Sequence, residues 1–218
     1  MRNRKLTERF LHRAPDALED VELLELLLQF TTEQPKELAR QLLTQYPNLS
    51  ALFEADSGDL AVLDGMDGDS HLLLRLVPEL NRRYFLSRSI PNPILLEPAD
   101  YGRYLLPFFY GIRDETVFLL TLDAAARVIH CRKMGQGTVN SANIPMRRLV
   151  QEAINTNATG IVLAHNHPSG IAIPSKEDIE VTNRLQEALK ILDITLQDHI
   201  VIADDDFVSM RESGYLFE

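Results

Sequence analysis

The sequence has a single cysteine, Cys131, and no tryptophan. One cysteine excludes an intrachain disulfide and any zinc cluster built on several thiolates, and it fits a reducing compartment. Long apolar runs are missing too. None approaches the ~20 residues that a membrane-spanning helix needs, and the basic stretch 1–13 lacks the apolar core of a secretory signal. The expectation is a cytoplasmic protein with no membrane segment. Positive charge is also in deficit: 22 Lys and Arg stand against 32 Asp and Glu, a formal net charge of −10. A surface that neutralises many phosphates needs a basic excess. The one basic cluster, Arg2, Arg4, Lys5, Arg9 and Arg13, reads as a solvated, frayed terminus.

What is present suits a packed core. Hydrophobic residues make up 45% and charged residues 25% of 218 positions, enough for one large domain or two small ones. Residues 16–86 read as a run of short helices. Leu23, Leu24, Leu27 and Leu28 form one helical stripe, and Leu38, Leu42 and Leu43 a second. Leu72, Leu73, Leu76, Leu80 and Tyr84 mark a longer amphipathic helix. The proline-rich stretch 87–98 reads as a linker. Beyond it the pattern changes: strands at 117–122, 127–133, 160–164 and within 194–202 alternate with helices at 145–157 and 175–192, which argues for a layered α/β domain. The predicted organisation is a helical module at 1–86, a linker at 87–98 and an α/β domain at 99–218.

The chemistry concentrates at one strand end. Ile161-Val-Leu-Ala runs directly into His165-Asn-His167. In an extended chain, side chains two apart share a face, so both imidazoles project together. Pro168 keeps the preceding residue out of the helical region. A third ligand should be a carboxylate, and Asp178 is the candidate: three residues before Val181 and seven before Leu185, it falls on the inward stripe of its helix, while Glu177 and Glu180 face outward. Ser175 lies on the same side. Ser175-Lys-Glu-Asp178 also has the spacing of a helix capping box, but a cap gives no reason for the histidine pair. Two His and one Asp leave zinc an open fourth position, as a catalytic site requires. The chemistry also needs a carboxylate to move protons, and spacing alone does not choose one among many acids. Asp198-His199 reads as a buried structural pair, and Cys131 as a small filler.

His165-x-His167, seven residues, Ser175, two residues and Asp178 resembles the JAMM signature of MPN-domain metallopeptidases. Four blocks, GTVNS at 137–141, AHNHPSG at 164–170, PSKEDIEVT at 174–182 and DHIV at 198–201, are similar to the RadC family over nearly the whole chain. The resemblance implies an MPN (JAMM) three-layer α/β domain of cytidine-deaminase-like architecture, preceded by a small all-α, helix-hairpin-helix-like module. It implies one zinc ion on His165, His167 and Asp178. It implies Glu115, at the head of ETVFLLTLD, as general base and acid, and Ser175 as a hydrogen-bond donor to the oxyanion. The reaction so implied is hydrolysis of amide or isopeptide bonds in a protein or peptide substrate.

Two stretches depart from that family. The hairpin turn that would bind DNA phosphates through backbone amides reads here Gly65-Met66-Asp67-Gly68-Asp69-Ser70-His71. Asp67 stands where the second glycine belongs, and Asp69 follows, so two negative charges oppose a phosphate. Residues 145–148, Pro-Met-Arg-Arg, share only Arg147 with the family's usual His-Pro-Arg-Glu. Besides hydrolysis, two readings remain: an accessory protein of DNA repair, and a zinc-bearing scaffold without turnover. A deaminase is excluded, because the paired cysteines of such zinc sites are absent.

Overall fold

The structure, a computed structural model, describes residues 3–12, 18–88, 92–137 and 146–216. The chain divides into two compact units, Met1–Arg83 and Tyr84–Glu218. The division falls inside a helix rather than in the proline-rich stretch. Pro145, and with it the start of the departing loop, lies outside the described residues, as does most of the GTVNS block.

The first unit contains α1 (Arg4–His12), α2 (Asp20–Leu28), α3 (Pro35–Gln45), α4 (Leu49–Phe53), α5 (Ser57–Ala61) and most of α6 (Gly68–Arg88). Local chemistry sets the helix starts. Glu19 and Glu22 form a capping box on α2, Pro35 opens α3, and Asn48 and Asp56 accept amide protons at α4 and α5. Leu24, Leu28, Leu38, Leu42, Leu52, Leu60 and Leu74 form the core. Truncating one of the fully buried leucines to alanine would cost about 2–5 kcal/mol.

Two expectations for this unit need correction. Residues 4–12 form a helix rather than a frayed end: Leu6 is buried and Arg9 is paired with Glu22 at 2.6 Å, while Arg4 and Lys5 are exposed and Arg2 and Arg13 lie outside the described residues. The stripe Leu72, Leu76, Leu80 and Tyr84 does lie on a helix, yet it is exposed. The inward face of α6 is instead set by Ser70 and Leu74, with Arg75 reaching the carbonyls of Phe53 and Ala55.

The second unit holds α7 (Pro98–Phe109), β1 (Thr116–Leu122), β2 (Val128–Gln136), α8 (Met146–Asn155), β3 (Gly160–Asn166), α9 (Lys176–Lys190), β4 (Thr195–Ala203) and β5 (Asp206–Ser209). The five strands form one mixed sheet of order β2-β1-β3-β4-β5. β1 pairs antiparallel with β2 and β3, and β3 pairs parallel with β4. That parallel step requires a crossover, and α9 supplies it.

Alternation sorts the strand side chains into two cores. Val117, Leu119, Ile161 and Leu163 face Leu149 and Ala153 of α8 and Leu185 and Leu189 of α9. Phe118, Leu120, Val162 and Ala164 face Tyr101, Leu105 and Phe109 of α7. The result is helix, sheet, helix: a mixed α/β unit in three layers. The sequence reading assigns no element to the segments of α7 and β5. α7 starts at a capping box of Glu97 and Asp100 with Pro98 in its first turn. It packs so closely that a Cβ at Gly102 would sit 2.2 Å from the Phe207 ring. Part of the stretch 87–98 is built into this unit, since Leu95 is buried and its amide donates to the Ala126 carbonyl. Among the described residues, no helix is long and apolar enough to cross a membrane.

Candidate metal centre

β3 is the central strand, and His165 lies near its C-terminal end on the α8/α9 face. It is 1% exposed. Backbone pairing continues past the strand, because the His167 amide donates to the Ile202 carbonyl at 2.7 Å. His167 therefore stays extended and on the same face, as the two-residue period requires. Pro168, Ser169 and Gly170 then turn the chain. Gly170 has φ of 75°, a left-handed conformation that glycine adopts without strain. The turn brings the Ile171 carbonyl back to His167 Nδ1 at 2.9 Å.

Asp178 comes from the first turn of α9 and is buried. Its Oδ1 is 3.3 Å from His165 Nε2, and its Oδ2 is 3.4 Å from His167 Nε2. The two Nε2 atoms are 2.9 Å apart. One ligand atom from each of the three residues lies within 4.8 Å of the others. Ser175 is the N-cap of α9, and the capping box is complete: Ser175 Oγ accepts the Asp178 amide, and Asp178 Oδ2 accepts the Ser175 amide at 2.7 Å. The Ser175 hydroxyl also donates to Oδ2 at 2.6 Å. Cap and cluster are thus one arrangement. The box fixes the rotamer of Asp178, and the remaining lone pairs face the histidines.

The electrostatics follow from burial and these contacts. Burial pushes the Asp178 carboxyl up, but its close contacts with His165, His167 and Ser175 outweigh it and hold the group well below the usual carboxylate range. His167 is raised, chiefly by its bond to Asp178, with burial opposing. His167 Nδ1 must donate to the Ile171 carbonyl, which can only accept, so the lone pair of a neutral His167 sits on Nε2 and faces the cluster. A carboxylate and converging imidazole nitrogens in a largely buried cluster want a cation. The donor set, two nitrogens and one carboxylate oxygen, is of the kind that holds a divalent metal.

Glu115 immediately precedes β1. The antiparallel register pairs Val117 with His165, so Glu115 sits at the sheet end where His167 emerges. It is half-buried. Burial raises its carboxyl; the neighbouring His165 opposes this and the charge of Asp178 reinforces it. Asn166, read from sequence as scaffolding, ties two strands together at this end. Its Oδ1 accepts the Thr116 amide at 2.8 Å, fixing the residue next to Glu115.

Two residues around the cluster are not assigned to it by the sequence. His199, on β4, touches His165 Nδ1 through its Nε2 at 2.8 Å, and Thr182, on α9, touches His199 Nδ1 at 2.6 Å. Both are fully buried. Asp198 is structural, as expected, accepting from Ser209, Arg211 and the His199 amide. The signal for His199 was its place in the block at 198–201, but no local period distinguishes it. Cys131 packs against the α7-side core, and burial raises its thiol far above the ordinary range.

A five-stranded mixed sheet between helical layers, with a His-His-Asp cluster at the end of its central strand, defines the class: a JAB-type α/β domain with a metal-dependent hydrolase-like fold. The model of the RadC-like JAB domain matches residues 95–215. A UPF0758 protein of Halorhodospira halophila is 36% identical over 217 residues, covering 99% of this chain and 97% of its own. Another, of Vibrio atlanticus, is 34% identical over 211 residues, covering 96% and 94%. The chain belongs to the RadC-like, UPF0758 family.

Proposed function

We propose that this protein is a zinc-dependent hydrolase of amide or isopeptide bonds in a protein or peptide substrate. The observation that carries the reading is the convergence of His165, His167 and Asp178, with ligand atoms within 4.8 Å of one another, at the sheet end that also bears Glu115. His165 Nε2, His167 Nε2 and Asp178 would hold the ion. Zinc, when bound, supplies Lewis acidity at the scissile carbonyl and brings water to nucleophilic strength near neutral pH. Glu115 takes the proton of the attacking water and returns it to the leaving amine. Its raised carboxyl suits that traffic better than an ordinary surface glutamate. Ser175 donates its hydroxyl to the oxyanion.

We read the second unit as an MPN domain of cytidine-deaminase-like architecture and the first as a degenerate helix-hairpin-helix-like module in the cytosol, with domains at 1–86 and 99–218. Nucleic acid is not the proposed partner. Asp67 Oδ1 accepts the Ser70 amide at 2.6 Å, and this bond lowers its carboxyl. A side-chain carboxylate therefore occupies a helix-start amide that a phosphate would need. A scaffold without turnover is the second reading. One observation favours it: the Ser175 hydroxyl proton is committed to Asp178 and must be released before it can serve an oxyanion.

The deciding experiment is a zinc assay on full-length protein purified without chelator, alongside His167→Ala and Glu115→Gln. The expected result is one zinc per chain in wild type and Glu115→Gln and little in His167→Ala, with peptide cleavage lost in both variants. Wild-type protein that carries no zinc and is not stabilised by it would sink the metal reading. Stoichiometric zinc with no cleavage of substrates trapped by Glu115→Gln would leave the scaffold.

A further inference from the structure

His199 lies outside the three candidate ligands, yet its ring connects one of them to helix α9. The sheet aims it there by an irregularity. Ile161 pairs with Leu196, but Val162 pairs with Asp198, so Gln197 is an extra residue in β4. In a regular strand Leu196 and His199, three apart, would face opposite sides. The extra residue reverses the alternation, and His199 joins Leu196 and His165 on the α9 side.

The direction of each hydrogen bond follows from what each atom can do. Thr182 Oγ1 lies 2.5 Å from the Asp178 main-chain carbonyl. A carbonyl only accepts, so the single hydroxyl proton points there; the Met210 sulfur at 3.7 Å is a much weaker acceptor. Toward His199 Nδ1 the Thr182 oxygen must therefore accept, and Nδ1 carries a proton. The His199 ring is fully buried and, among the described residues, its hydrogen-bond partners are His165 and Thr182 rather than a carboxylate, so a second proton would bury an unpaired charge. Its Nε2 is then a lone pair, 2.8 Å from His165 Nδ1. That atom must donate, which leaves the His165 lone pair on Nε2.

We infer that His199, oriented by Thr182, is a positioning residue that fixes the tautomer of His165 so that its Nε2 lone pair faces His167 and Asp178. The relay does for His165 what the Ile171 carbonyl does for His167. Partners of this kind tune metal affinity by about 10- to 100-fold. The inference rests on the metal-site reading for its consequence, although the tautomer itself does not require an ion.

The test uses full-length protein with ¹⁵N-labelled histidine. Long-range ¹H–¹⁵N correlation spectra of zinc-free protein at alkaline pH report which ring nitrogen of His165 carries the proton. Zinc dissociation constants are measured in parallel for wild type, His199→Phe, His199→Gln and Thr182→Val. The wild type should show a protonated Nδ1 on His165. His199→Phe and the nearly isosteric Thr182→Val should mix in the other tautomer and weaken zinc by about tenfold or more. His199→Gln, whose amide still offers an acceptor and a donor, should recover most of the loss. A proton on Nε2 of His165 in the wild type would overturn the inference. So would variants that only lower the melting temperature while tautomer and affinity stay put. Wild-type protein with the expected tautomer and no affinity for zinc would support the positioning role while ending the hydrolase reading.

Discussion

The Asn166 side-chain oxygen accepts the Thr116 amide at 2.8 Å, tying the strand that carries both histidines to the residue beside Glu115. Thr116 is fully buried, so its amide has no access to water. Asn166→Ala should therefore cost about 1–3 kcal/mol, the penalty of a buried donor left unpaired. Under the proposed function it should also lower kcat while leaving zinc content intact, because it loosens the proton shuttle and not the ligands. Urea unfolding and metal analysis on the same preparation separate the two effects.

Ser175→Ala removes a cap and a proposed oxyanion donor together. The loss of the N-cap should cost about 1 kcal/mol. Ser175→Thr restores the cap with a hydroxyl in nearly the same place. If Ser175 is only a cap, threonine should rescue stability and activity in step. If it also meets the oxyanion, the added methyl should leave cleavage impaired at wild-type stability. Thermal denaturation and initial rates read the difference.

His167 makes metal binding compete with protons. Its imidazole is raised above its ordinary 6.5, first by the bond to Asp178, and a metal needs it neutral. Apparent zinc affinity should therefore begin to fall already above pH 6.5 as the solution is acidified. The metal-free protein behaves in the opposite sense. A histidine raised in the folded state contributes stability that is full below its unfolded value and lost as pH rises through the folded one. Melting curves with and without zinc across pH 5–9 should therefore diverge toward the alkaline side.

Glu79 bonds both Arg82 and Arg83 on α6. These bonds, that of Arg82 first, lower its carboxyl from 4.5 to about 2. A depressed carboxylate contributes above its unfolded value and loses that contribution as pH falls through the folded one. Its side chain is 40% exposed, so solvent screening keeps the effect to about 1 kcal/mol or less. Glu79→Gln should be slightly less stable than wild type at pH 7, with the gap closing between pH 4.5 and about 2.

The fold is most legible in the sequence where one period dominates. Val181, Leu185 and Leu189 placed α9 in phase, and the same phase put Asp178 inward. Alternation through Ile161, Leu163 and His165 placed β3 and brought the histidines together. The fold is least legible where tertiary packing decides. The apolar spacing of Leu72, Leu76 and Leu80 marks a helix but not which face the rest of the unit covers. α7 starts at a capping box of Glu97 and Asp100 and carries Tyr101, Leu105 and Phe109 at helical spacing, but the proline-rich stretch before it and Pro107 within it mask that pattern. In sequence His199 shows only as half of a structural pair with Asp198, since a neighbouring strand far off in sequence and one extra residue at Gln197 are needed to aim it. Glu115 could not be chosen from its neighbours. Only the pairing of Val117 with His165, a contact across forty-eight positions of chain, explains why that glutamate stands at this end of the sheet.

Asp178 is claimed twice, by the start of α9 and by the histidines. An ion that drew on its Oδ2 would take electron density from the bonds that Ser175 donates to the same oxygen. Occupancy should then be legible in the backbone, as faster amide hydrogen exchange at Ser175 when the cluster is filled. The first turn of the helix would serve as a built-in gauge of whether the ligands are engaged, readable without substrate and without catalysis.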